Sequence, residues 1–325
     1  MNGLVKIQVL NYNVRMMFPS RGEFERAHFI RSFLSQSQAD VIGLCEVYLP
    51  SLKQILIGNG VIKKNYPFST DSFGNNSFPR LHAGLSLVSK YPIIRSEVLQ
   101  FNNVGKIFFP FTLYAGKGVL FAELDCNGTR VGVFLTHLQW GNTKHQRSIR
   151  KLQLQELRQF IVNHWTIDKP TILMGDFNLF DNNHDGEYGY MRETLPGLVD
   201  VWSELYDISE KPGYTWNVNN TTIIAPMKNY RYDYILTSEN IHPISCKIKK
   251  PNTGNISKDR KKNTHLHFRH WLWYYLSSFF TVLFFPVIVT CHLVRFILGL
   301  PVGLFGELDL SDHYAVEGIV EIKGI

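Results

Sequence analysis

Short apolar runs closed by turn residues recur along most of the chain. They fall at Val5–Val9, Val41–Leu44, Leu85–Val88, Val119–Glu123, Val131–Thr136, Thr171–Met174, Tyr234–Thr237 and Ala315–Val320. Runs of this length, rich in β-branched residues, predict strands. Two longer stretches have helical spacing instead. Glu23–Gln36 sets Phe24, Ala27, Phe29, Ile30, Phe33 and Leu34 on one face. Lys144–His164 does the same with Ile149, Leu152, Leu154, Leu157, Phe160 and Ile161. Strands mixed with helices, several of them hairpin-like neighbours, predict an α/β sandwich and not a strictly alternating doubly wound sheet. There is no internal repeat, and Gly116-Lys117-Gly118 lacks the rest of a phosphate-binding P-loop.

One stretch departs from this pattern. Lys247–Lys262 reads as a basic loop, and Trp271–Phe305 is then almost continuously apolar, with Arg295 its one formally charged residue. Composition adds little elsewhere. With 45% hydrophobic and 14% aromatic residues the chain has material for a substantial core, which argues against disorder. The net charge of +7 suits an anionic partner without choosing among nucleic acid, membrane and phosphorylated substrate. Four scattered cysteines with no CxxC pair predict buried thiols in place of disulfides or a zinc site. The chain opens directly into strand-like sequence at Val5, so no signal peptide is expected.

The chemistry-bearing residues stand at the ends of the apolar runs. The islands are Asn11-Tyr12-Asn13, Cys45-Glu46-Val47, Thr136-His137-Leu138, Gly175-Asp176-Phe177-Asn178, Arg231-Tyr232-Asp233-Tyr234 and Ser311-Asp312-His313. A polar group at a strand end is projected at the rim of a sheet, where a site can be assembled from distant parts of a chain. Taken singly, each island has an ordinary reading as a turn or a satisfied histidine. In their shared order they resemble the endonuclease/exonuclease/phosphatase superfamily, over nearly the whole chain. Three features are similar to its neutral and bacterial sphingomyelinase branch: Glu25-Arg26-Ala27 opening the first helix, Lys117-Gly118-Val119 entering a strand, and an apolar insertion ahead of the last Asp-His.

The resemblance implies one catalytic domain over residues 1–325, with 247–307 as a basic loop plus hydrophobic insertion. The implied fold is a four-layer, DNase I-like sandwich of two mixed sheets flanked by helices. It implies Glu46 as principal ligand of Mg²⁺ (or Mn²⁺), with Asn13 and Asp312 on the metal side. Asp176 and Asn178 would position the attacking water. His313, oriented by Asp233, would be the base or phosphate-stabilising imidazole, and His137 would protonate or stabilise the leaving oxygen. Asn13 and Lys117 would contact substrate. The implied reaction is phospholipase C-type hydrolysis of a membrane phospholipid, sphingomyelin to ceramide and phosphocholine.

The insertion lies between Asp233 and His313, which must meet on one side of any bilayer, so it cannot cross once. Its halves, Trp271–Phe285 and Val287–Leu300, would each span roughly 22 Å as helix, against a hydrocarbon core of ~30 Å. A re-entrant or interfacial hairpin bending at Pro286 is therefore expected, with Trp271, Trp273, Tyr274 and Tyr275 in the headgroup zone, approached from the cytoplasmic side. The alternatives are a DNase I-like endonuclease, an inositol-phosphate phosphatase and an inactive membrane-bound binding module. The apolar insertion offers nothing to a duplex held through its phosphates, and retention of Glu46 and His313 argues against the inactive module.

Overall fold

The computed structural model describes residues 4–16, 23–58, 60–74, 81–105, 115–180, 186–220, 228–251 and 310–322. Two six-stranded mixed sheets face each other. The first is built from β1 (Val5–Met16), β2 (Val41–Val47), β3 (Phe68–Asp71), β4 (Ser86–Ser89), β11 (Ile241–Lys249) and β12 (Ala315–Ile322), in the order β11-β12-β1-β2-β4-β3. The second contains β5 (Ile93–Gln100), β6 (Gly118–Cys126), β7 (Thr129–His137), β8 (Thr171–Asp176), β9 (Leu198–Asp200) and β10 (Asp233–Ser238), in the order β5-β6-β7-β8-β10-β9.

Each sheet contains one parallel pair, and a parallel pair needs a long crossover. In the first, β1 runs beside β2 and the crossover contains α1 (Glu23–Ser35). In the second, β7 runs beside β8 and the crossover is α4 (Lys144–His164). Between the two lie α2 (Pro50–Lys53) and α3 (Gly60–Asn65), and α5 (Glu187–Thr194) and α6 (Val201–Leu205) follow β8 and β9. Helix α4 starts sharply because Thr143 accepts from the Gln146 N–H while the Gln146 side chain reaches back to the Thr143 N–H.

The core between the sheets draws on Val9, Val41 and Leu87 from the first and on Leu135, Met174 and Ile235 from the second. Gly43 marks how close they come, since a Cβ there would lie 2.7 Å from the side chains of both Leu135 and Met174. A second apolar layer joins Phe121, Phe134 and Leu173 to Leu154, Leu157, Phe160 and Ile161 of α4. On the opposite side α1 packs on its sheet, with Phe33 edge-on to Tyr12. Helices, two sheets and helices make the four layers that the resemblance implied.

Two expectations change. Leu152, placed on the apolar face of α4, is 41% exposed, and Arg150 and Gln153 are buried in that helix. The basic loop begins later than expected, because Lys247 and Lys249 belong to strand β11, where alternate residues reach solvent and Lys249 pairs with Glu317. The remainder of the loop and the apolar stretch, with Trp271, Trp273, Tyr274 and Tyr275, lie outside the described residues.

Candidate active site

Topology brings the polar islands to one edge. The parallel strands β1, β2, β7 and β8 end there, and the antiparallel strands β10 and β12 begin there. Asp176 is directly paired with both His137 and Asp233, and Asn13 with Cys45 beside Glu46. Backbone strain concentrates at the same place. Arg15, Glu46 and Asn178 all adopt positive φ, which costs a non-glycine residue ~1–3 kcal/mol and is held only by its surroundings. Gly175, before Asp176, has φ +151, and a Cβ on it would meet the Thr136 carbonyl oxygen at 2.0 Å.

The two sheets are stitched together across this edge. Asn13 donates through Nδ2 to Glu46 Oε1 (3.1 Å) and Asp176 Oδ2 (2.9 Å). Asn11 donates to Asp233 Oδ1 (3.2 Å), and Asp233 Oδ2 lies 2.8 Å from His313 Nδ1. His313 Nε2 then faces Asp176 Oδ2 at 3.8 Å, and His137 Nε2 faces the same oxygen at 3.4 Å and Glu46 Oε1 at 3.8 Å. Lys117 Nζ lies 2.5 Å from His137 Nε2. Asp176 Oδ1 accepts the Asn178 N–H at 2.9 Å, and Asn178 donates to the Leu138 carbonyl at 3.0 Å.

These positions set the charges. Burial alone would lower the His313 imidazolium, but Asp233 and Asp176 outweigh it and raise its pKa to about 10. Asp176 is pushed up to about 7, first by burial and further by Asp233, with His313 and Lys117 opposing. Burial drives His137 well below its ordinary range, and Lys117 and His313 add to the effect. His137 is therefore held toward its neutral form, with one ring nitrogen an acceptor and the other an N–H donor. Burial also pulls the neighbouring Lys117 ammonium below the ordinary lysine range, with Glu46 and Asp176 opposing.

A divalent metal fits the donor set. One ligand atom each from Glu46, His137 and Asp176 lies within 4.8 Å of the others, and Glu46 opens to solvent. Beside them, the buried Asn178 Oδ1 has no hydrogen-bond partner, an acceptor left for a water or a ligand. Two residues expected on the metal side make further contacts. Asn13 Oδ1 accepts the Arg15 N–H at 3.0 Å, so its nitrogen faces the carboxylates and it holds ligands in place. Asp312 pairs with Arg15 Nη1 at 3.2 Å.

The sequence pattern did not single out the buried Arg150 or the aromatic wall beside the site. Arg150 pairs with Glu187 and donates to the Gln139 and Gly141 carbonyls (2.9 and 2.6 Å), and Glu187 accepts the Phe180 N–H at 3.1 Å. One buried ion pair thus fixes both loops that follow β7 and β8. Those loops carry Trp140 and Phe180, which continue through Tyr230 and Tyr232 to His313, with the Tyr232 and His313 centroids 5.7 Å apart. The only sequence signal was an arginine within the core-facing stripe of a helix.

Comparison with known proteins agrees with this fold. The chain is similar to sphingomyelinase C of Bacillus cereus, 30% identical over 266 residues, covering 72% of this chain and 75% of that protein. Its fold matches a beta toxin mutant of Staphylococcus aureus with bound magnesium ions, at TM-score 0.65, 19% identity and coverage of 96% and 99%. It also matches D. rerio TDP2 complexed with a single-strand DNA product, at TM-score 0.62, 18% identity and coverage of 97% and 98%. The model of the endonuclease/exonuclease/phosphatase family matches residues 10–313. Those residues run from the strand that bears Asn11 and Asn13 to His313 itself, and the chain belongs to the endonuclease/exonuclease/phosphatase family.

Proposed function

We propose that this protein is a divalent-metal-dependent phosphodiesterase that cleaves a membrane phospholipid in the manner of a phospholipase C, taking sphingomyelin to ceramide and phosphocholine. The observation that supports it best is the Asp233–His313 pair set beside Asp176, facing Glu46 and His137. The lipid substrate draws on the similarity to sphingomyelinase C.

A magnesium ion held by Glu46 and Asp176, with His137 beside them, would neutralise charge building on the phosphoryl oxygens. The chain's own groups do the rest. His313 keeps its proton at neutral pH, so its Nε2 donates to a phosphoryl oxygen while Asp233 fixes the ring through Nδ1. Asp176 and Asn178 Oδ1 would orient the attacking water as acceptors, and its proton would pass to solvent as the diester is cleaved. Lys117, beside His137, would give a proton to the leaving oxygen so that the lipid leaves as a neutral alcohol, and the proton taken from water would return to the lysine through solvent.

Contact with the bilayer is assigned to 271–305, peripheral or re-entrant from the cytoplasmic side. Trp140, 52% exposed at the end of the aromatic wall, suits the headgroup zone. Among the described residues no helix is long and apolar enough to cross a membrane.

The chemistry is tested with a soluble chromogenic phosphodiester, with Mg²⁺ and with EDTA. Glu46→Gln should lower Mg²⁺-dependent turnover by about 100-fold or more while leaving the melting temperature near that of the parent. Turnover within a few fold of the parent, or full activity in EDTA, would overturn the assignment.

A further inference from the structure

The sequence of β1 breaks its own ladder just past Asn13. The register against β2 shifts between Asn13 and Met16, and Arg15 takes φ 48. A bulge of this kind frees main-chain carbonyls that the neighbouring strand no longer satisfies. The Arg26 side chain reaches them from α1: Nη1 donates to the Val14 carbonyl at 3.3 Å and Nη2 to the Arg15 carbonyl at 2.6 Å.

The same guanidinium reaches a second segment. Nη1 also donates to the Leu310 carbonyl at 2.8 Å. Leu310 immediately precedes Ser311-Asp312-His313, and its N–H is bonded to the Pro251 carbonyl at 3.0 Å, which closes the two ends of the intervening chain. From there Ser311 Oγ donates to the Asn13 carbonyl at 2.8 Å, and Asp312 pairs with Arg15. His313 thus returns to the site after a long excursion whose closure costs entropy, and local contacts must fix where it lands.

We infer that Arg26 is a positioning residue: by gathering the Val14, Arg15 and Leu310 carbonyls it holds Asn13 and His313 in one frame. Asn13 in turn spaces Glu46 from Asp176, so the effect reaches the metal-competent carboxylates. The planar guanidinium fork is what the task requires. A lysine has one nitrogen and cannot lie within bonding distance of three carbonyls on two segments in this geometry. This accounts for the arginine of Glu25-Arg26-Ala27, which in an amphipathic helix would otherwise turn to solvent.

Arg26→Lys and Arg26→Ala in the full chain test the inference through Mn²⁺ affinity by calorimetry and through kinetics on a soluble phosphodiester. Both should lose about tenfold in Mn²⁺ affinity, and about 10- to 100-fold in kcat with KM within about threefold. Millimolar methylguanidinium should restore part of the kcat of Arg26→Ala and none of that of Arg26→Lys. If Arg26→Ala does not fold, Arg26→Lys alone decides. A folded Arg26→Lys with parental Mn²⁺ affinity and kcat overturns the inference. The kinetic arm rests on the proposed activity. A parent chain without diester turnover would count against that activity, and Mn²⁺ affinity would still decide the role of Arg26.

Discussion

Asp233 is the residue on which the electrostatics of the site turn. It holds His313 through one oxygen and Asn11 through the other, and with Asp176 it keeps the imidazole charged. A histidine raised in the folded state stabilises the fold fully below its unfolded pKa of ~6.5, and that stability is lost as pH rises through about 10. Asp233→Asn should therefore cost more stability at about pH 6 than at about pH 9, which urea midpoints at the two values would show. The reverse order would contradict the charge assignment. Asp176 gives a second, opposite signature. With its pKa at about 7 it must shed a proton to bind a cation, so metal affinity should rise up to about tenfold per pH unit below 7 and level off above. Calorimetry in buffers of different ionisation enthalpy reads the released proton, and affinity independent of pH between about 5.5 and 7 would rule the coupling out.

At the scale of elements, the site depends on strands ending at defined points. At Gly175 of β8 a Cβ would run into the β7 backbone, and Gly175→Ala should destabilise the protein by about 2 kcal/mol or more, because the obstructing atom is the Thr136 carbonyl and cannot rotate away. Chemical denaturation measures this, and a change below about 0.5 kcal/mol would show that the strand crossing relaxes freely. The central strands were legible because their apolar runs end on polar islands, as β1, β2, β7 and β8 do. The strands missed were mostly edge or hairpin elements with weak patterns. In β5 (Ile93–Gln100) four consecutive residues are exposed, and β11 (Ile241–Lys249) carries a proline, a histidine and two lysines, the lysines reading as loop. The site was legible as a set of groups, but not as a set of partners. Motif order could name Asp312 and Asn13 as metal-side residues, yet it could not show that Arg15 takes the carboxylate of one and, through its N–H, the amide oxygen of the other. The role of Arg26, noted only within Glu25-Arg26-Ala27, and Arg150 altogether were hidden for the same reason, since their partners are mostly main-chain carbonyls.

Across the whole molecule, neither sheet holds the site alone. Asn13, Glu46 and His313 come with the first sheet and its flanks, His137, Asp176 and Asp233 with the second, so the metal-competent cluster exists only when the two are packed. In sequence the apolar stretch ends at Phe305, shortly before Ser311-Asp312-His313. Replacing 271–305 by a short Gly/Ser bridge should reduce activity on vesicles by about tenfold or more and leave hydrolysis of a soluble phosphodiester within about threefold. Equal losses on both would assign that stretch to folding and not to lipid contact. The most direct test of the account is phosphocholine release from sphingomyelin vesicles, measured with Mg²⁺ and with EDTA, alongside plasmid nicking in the same buffer. Metal-dependent release without nicking is the predicted result; nicking without release would move the substrate of this site from lipid to nucleic acid.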